Sequence, residues 1–204
     1  IGITKNFIRL GIFFLCISTI APFSAAHAAT PLSRAVWIPY WKKDAGIAEV
    51  TEHLDAVNEI SPFAYEVKQD GTLVDKLKIS GESWQLFFQQ AGTSKIKILP
   101  SVSWFDSNAI FTTLASSSAR RQLIAGIMDL VRANNFDGID IDYENKTAET
   151  KPHFSRFLKE LSGALHKEKK ILSCSIEART PLASRFVAIP KGIRYANDFA
   201  AIAS

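Results

Sequence analysis

After residue 28 the chain alternates short apolar runs with longer stretches in which apolar residues recur every three or four positions. The short runs cover residues 34–41, 60–68, 95–104, 136–143 and 170–179, each about a strand in length. Between them, residues 44–59 set Ile47, Val50, Leu54 and Val57 at helical spacing, and a second helix is expected over 83–90. A two-part helical region follows the third run. Its longer piece, 118–134, places Leu123, Ile127, Leu130 and Val131 on one face, with Ser117 or Ser118 as N-cap. The helix expected over 152–169 buries Phe154, Phe157, Leu158, Leu161 and Leu165. Gln69-Asp70-Gly71 closes the second run with a turn signal.

Strands that alternate with helices of this length build parallel βα units. Five units occupy about 150 residues, whereas a closed barrel takes about 250. The pattern predicts an α/β fold: a (β/α)8 TIM barrel represented by its first five units and cut before the sixth. A complete five-stranded open sheet is the alternative. Neither GxGxxG nor GxxxxGK followed by Ser or Thr occurs, which argues against a nucleotide-binding sheet.

The first residues follow a different rule. Lys5 and Arg9 precede a stretch from Leu10 to Ala28 with no Lys, Arg, Asp or Glu, ending in Ala26-His27-Ala28. Positive, apolar and small-residue regions in this order predict a secretory signal peptide over residues 1–28, and a catalytic domain over 29–204. An uncleaved anchor is the alternative. Pro22, Ser24 and His27 interrupt the apolar run, which is short against the roughly 20 residues of a membrane span. The expected location is therefore secreted or cell-envelope, with no stable membrane insertion after cleavage.

Composition adds bounds. The chain has 204 residues, 47% hydrophobic and 22% charged, as in ordinary globular proteins. Removing residues 1–28 takes away two cations and no anion, so the net charge falls from +4 to +2. No Lys/Arg-rich tract remains to track a phosphate backbone, so nucleic acid is not an expected partner. Past Ala28 only Cys174 remains, so no disulfide can close within the mature chain and stability rests on a core. The chain begins with Ile and stops within a helical pattern, so it reads as a piece of a longer monomeric protein.

The chemistry concentrates in the fourth run, FDGIDIDYE at 136–144. Asp137, Asp140, Asp142 and Glu144 fall within eight residues. Strand side chains alternate faces, so Asp140, Asp142 and Glu144 share one face and Ile139, Ile141 and Tyr143 the other. The apolar face suits the helix-covered outside of a barrel, which turns the carboxylates inward. Stacked carboxylates in a partly buried site repel, which raises at least one pKa. Packing alone gives no reason to place them there. Carboxylates with separated pKa values suit glycosidic bond cleavage, one donating a proton to the leaving oxygen and another stabilising positive charge. Glu144 is last in the row and nearest the C-terminal mouth, so it is assigned general acid, with Asp142 its electrostatic partner and Asp140 deeper. A calcium loop counted from Asp140 fails, because its sixth and twelfth positions are Asn145 and Lys151. A magnesium cluster would need convergent oxygens.

This string resembles the DxxDxDxE signature of glycoside hydrolase family 18, the chitinases and their relatives. The match includes all four acids and Gly138 and falls on the fourth strand, where the family carries it. VWIPYW, SPFAYEVKQDGTL and SIEARTPLASRF resemble a bacterial branch of spore-coat and cell-wall hydrolases. The resemblance implies a retaining, substrate-assisted mechanism in which the sugar's 2-acetamido group attacks the anomeric carbon. Glu144 would protonate the glycosidic oxygen and then activate water. Asp142 would orient the acetamido group, Asp140 would support Asp142, and Asp137 and Gly138 would be structural. It implies a β-1,4-linked, N-acetylated glycan such as chitin, peptidoglycan or an N-glycan core, and no metal or organic cofactor. Two departures stand out. The third strand has PSVSW where many chitinases carry SxGG, and the family's Tyr on the sixth strand would lie beyond Ser204.

Tyr40, Trp41, Tyr65 and Trp104 fall at strand ends, where their rings are candidate sugar platforms. Glu177, at the end of the fifth run, is a candidate for sugar hydroxyls or for pairing with Arg179. Ser173 and Ser175 have no His at catalytic spacing. A lectin on the same barrel is the rival function; such relatives typically lose the acid, and Glu144 is present.

Overall fold

The computed structural model describes residues 32–176 and 196–203. The expected signal peptide, Glu177 and Arg179 lie outside the described residues. Strands β1 (Ala35–Pro39), β2 (Glu59–Phe63), β3 (Tyr65–Val67), β4 (Leu73–Asp75), β5 (Lys97–Ile98), β6 (Ser101–Trp104), β7 (Gly138–Tyr143) and β8 (Ile171–Cys174) alternate with helices. These are α1 (Lys43–Glu52), α2 (Glu82–Thr93), α3 (Ser107–Ala115), α4 (Ser117–Ala133), α5 (Lys151–Lys167) and α6 (Phe199–Ile202).

Five parallel strand lines stand side by side in chain order: β1, β2 running into β3, β5 running into β6, β7, and β8. A doubly wound sheet would reverse that order at a switch point. Sequential order is the wall of a (β/α)8 barrel, of which the described residues form five units. The second and third expected runs are each two short strands. Leu99 N–H still donates to Ile60 O (3.0 Å) across the break, so the wall continues. Helix α1 is shorter than the 44–59 expected, because Leu54–Ala56 tightens into a 3-10 turn.

The outward face is apolar. Ile38, Ile60, Ile98, Val102, Ile139 and Ile141 join the helices' buried residues in one core. Among these are Leu123, Ile127 and Val131 of α4, and all five residues expected of α5. Tyr143 stacks on Phe157 at 5.6 Å and meets Trp104 edge-on at 5.5 Å. Ser116, not Ser117 or Ser118, caps α4, its hydroxyl accepting from Ala119 N–H (3.3 Å). Buried Arg120 links α4 to α5, giving two hydrogen bonds to Glu160 (2.8 and 3.0 Å) and one to Leu114 O (2.7 Å). Among the described residues no helix is long and apolar enough to cross a membrane.

Two backbone features fix strand entry. Three helix-to-strand turns each pass through a left-handed residue that is not glycine: Lys95 (φ 59°), Asn135 (φ 51°) and Lys169 (φ 58°). Each is followed by a bond back across the helix end: Ile96 N–H to Ala91 O, Phe136 N–H to Val131 O, and Lys170 N–H to Leu165 O (2.9–3.1 Å). At β7, Gly138 runs against β8. A Cβ there would lie 2.8 Å from Ile171 C, 2.9 Å from Ile171 Cβ, and closer still to Ile171 O.

Candidate active site

The inward face of this wall is polar, and the register shows why. Asp140 lies opposite Ser101 on one side and Ser173 on the other, and Asp142 lies opposite Ser103. The alternation that buries Ile139 and Ile141 outward turns the two aspartates into the lumen. Asp137 stays at the strand entry, where its carboxylate accepts from Ile98 N–H (2.9 Å) and ties β7 to β5.

Asp140 is deepest, 1% exposed. Its Oδ2 accepts from Ser101 Oγ (2.8 Å), and Ser175 Oγ reaches both carboxylate oxygens at 3.4–3.5 Å. Burial raises its pKa above the usual carboxylate range, and the hydroxyls of Ser101, Ser173 and Ser175 pull back against that rise. Glu59, at the floor of the lumen, is also raised, first by burial and then by the Asp140 charge, with Lys97 opposing. Asp142 is buried one step nearer the mouth, and Glu144 is exposed at the rim. Glu144 is held by its backbone, its N–H donating to Trp104 O (2.9 Å). The chain then turns through left-handed Asn145 (φ 57°), whose amide reaches Phe105 O at 3.4 Å. Behind the rim, buried Lys146 donates to Tyr143 O and lies 4.8 Å over the Phe154 ring.

Asp142 and Glu144 open onto a cleft of about 610 Å³ walled largely by aromatic residues. Tyr40 and Trp41 line it with exposed rings, edge-to-face at 4.8 Å. Tyr65 also lines it, though only 5% exposed, and its carbonyl accepts from Ser103 Oγ (3.1 Å). Trp104, expected at a sugar platform, is a correction. Its register partner is Tyr143 on the helix-covered face, and at 1% exposure its ring packs in the core.

Several residues escaped the sequence reading. Trp37, Phe63 and Phe105 join the cleft wall. So do Glu66 and Lys76, which pair at 3.1 Å. Glu66 belongs to the inward row because the strand slips phase at Ala64: Phe63 faces in, and after the break Glu66, not Tyr65, aligns with Ser103 and Asp142. Lys76 arrives on the hairpin partner β4 and its following loop, which pairs antiparallel with β3 around Gly71 (φ 83°). The serines that bracket Asp140 had a signal, since Ser101 and Ser103, and Ser173 and Ser175, repeat at the strand period of two.

Among the described residues no three His, Cys, Asp or Glu side chains are grouped to hold a metal ion. The Cys174 thiol is pushed up to about 12 by burial and then by the Asp140 charge, so it stays protonated.

The comparisons agree with this geometry. The family pattern described as "Glycosyl hydrolases family 18" matches residues 36–204. YdhD of Bacillus subtilis (strain 168), provisionally named a sporulation-specific glycosylase, is 24% identical over 132 residues, 64% of this chain and 31% of its own. A class V chitinase from Pseudomonas fluorescens Pf-5 superimposes with a TM-score of 0.69 at 18% identity, over 84% of this chain and 51% of that one. The spore cortex-lytic enzyme SleL of Bacillus megaterium QM B1551 gives 0.65 at 17% identity, over 85% and 41%. The chain spans about half or less of the length of these relatives. The family pattern covers most of the chain, and the fold beneath it is a barrel wall, which leads to one conclusion: this chain belongs to glycosyl hydrolase family 18.

Proposed function

We propose that the protein carrying this chain is a glycoside hydrolase that cleaves β-1,4 bonds of N-acetylated glycans with retention, using the substrate's acetamido group. The observation that carries the reading is the graded acid row: Asp140 buried and raised, Asp142 buried at the cleft, Glu144 exposed at the rim. In the first step the acetamido oxygen bonds to the anomeric carbon as the glycosidic C–O bond breaks, and the Glu144 proton passes to the leaving oxygen. Asp142 holds the acetamido N–H and offsets the positive charge of the oxazolinium ion. Asp140, with its raised pKa, takes up a proton shared with Asp142. In the second step Glu144 removes a proton from water, which attacks the anomeric carbon and reopens the ring. Two inversions give net retention. Residues 1–28 are proposed to direct export, placing the enzyme where such polymers lie.

Glu144→Gln in the full-length protein tests this. General acid–base catalysis contributes roughly 10²–10⁴-fold, so turnover of chitooligosaccharide or peptidoglycan should fall by about that factor with substrate binding retained. Undiminished turnover refutes the assignment. Binding without product in the unsubstituted protein would make it a lectin.

A further inference from the structure

The catalytic cleft continues into a second groove. Tyr40, Trp41 and Lys76 line both. Beyond them the groove, about 470 Å³, is walled by Lys42, Lys43, Asp44, Ala45, Leu77 and Lys78. It therefore presents four lysines and one acid. Lys43 pairs with Asp44 (3.3 Å) and Lys76 with Glu66 (3.1 Å), whereas Lys42 and Lys78 make no ion pair among the described residues. The cleft itself has the opposite balance, with Glu66, Asp142 and Glu144 against Lys76 alone. The sign of the charge thus reverses across Tyr40 and Trp41, with Lys76 at the crossing, 5.7 Å over the Tyr40 ring.

We propose that this groove is a specificity subsite that reads a carboxylate carried by the glycan. The substrate class is then an acidic N-acetylated polymer, with lactyl or peptide carboxylates, in preference to neutral chitin. The inference rests on the hydrolase reading for what enters the cleft, and adds what the lysines select. A sugar stacked on Tyr40 and Trp41 lies between the two grooves. Its neutral face meets the rings, and an acidic substituent is drawn away from Asp142 and Glu144 toward Lys42 and Lys78. A neutral polymer gains nothing there, so the groove discriminates by attraction on one side and by like-charge repulsion on the other.

The test separates binding from turnover. The full-length Glu144→Gln protein is titrated with three tetrasaccharides: chitotetraose, alternating N-acetylglucosamine–N-acetylmuramic acid with free carboxylates, and the same compound amidated. The free acid should bind about three- to tenfold more tightly than its amide, and the advantage should shrink as salt rises, as exposed charge pairs require. Adding Lys42→Gln and Lys78→Gln should erase that advantage and leave chitotetraose binding unchanged. The unchanged binding also reports that the variant folds; should the pair fail to fold, each single substitution is expected to halve the advantage or more. Equal binding of acid and amide, binding of neither, or an advantage that survives loss of both lysines overturns the proposal. Absence of turnover by the unsubstituted protein on all three would sink the hydrolase reading and leave the binding ratio to decide the subsite.

Discussion

Two glycine-to-alanine substitutions in this chain should act in opposite directions. At Gly138 an added Cβ meets Ile171 C at 2.8 Å and Ile171 Cβ at 2.9 Å, both atoms of β8 that no rotamer change can move aside. Carbon atoms settle about 3.5–4.0 Å apart, so β8 would have to retreat by about 1 Å. The bond from Ile171 N–H to Asp137 O, now 2.9 Å, would then leave hydrogen-bonding range. One or two ladder bonds at about 1 kcal/mol each, with about 1–3 kcal/mol of overpacking, give a loss of about 2–5 kcal/mol. At Gly163, within α5, nothing lies within 4 Å of the added atom, and alanine should stabilise by about 1 kcal/mol. At about 2–4 °C per kcal/mol, Gly138→Ala should lower Tm by about 4–20 °C and Gly163→Ala raise it by about 2–4 °C. Differential scanning calorimetry of the full-length protein at one pH measures both. A Gly138→Ala Tm within about 1 °C of the original, or the same sign of shift for both, would refute the close-approach argument.

Two further outcomes follow from the strand that bears the acids. The Tyr143 hydroxyl is buried with no hydrogen-bond partner among the described residues, so Tyr143→Phe should hold or raise Tm and leave kcat unchanged; a Tm loss beyond about 3 °C would show a partner for that hydroxyl. Asp140 has a folded pKa raised above its unfolded value of about 3.9, so the native state holds the extra proton between the two. Its presence therefore costs stability as pH rises through that window, and the cost persists above it. Asp140→Asn should gain stability on the original protein from pH of about 3 upward, read as urea midpoints across pH, and a gain that falls with pH contradicts the burial argument.

The acid row was legible because period-two alternation holds without interruption from Gly138 to Tyr143. Glu66 was not legible, because the alternation breaks at Ala64 between β2 and β3 and only the register after the break aligns Glu66 with Ser103 and Asp142. Trp104 was misassigned because a strand end suggests a rim, whereas its register with Tyr143 decides its face. Strand β4 went unread: its three residues, Leu73–Asp75, are too short to carry a period and exist by pairing with β3. Lys42, Lys76 and Lys78 are scattered in sequence, and only the hairpin and the turn after β1 gather them.

The three left-handed turns at Lys95, Asn135 and Lys169 all sit at the helix-to-strand end, opposite the rim that carries Glu144. Each spends roughly 1 kcal/mol of backbone strain to restart its strand at a fixed height. Inheritance can therefore treat the two ends differently. Insertions and exchanges in the loops around the cleft leave every strand's starting point untouched, so a lineage can retune which glycan it takes without re-evolving the wall that aims its acids.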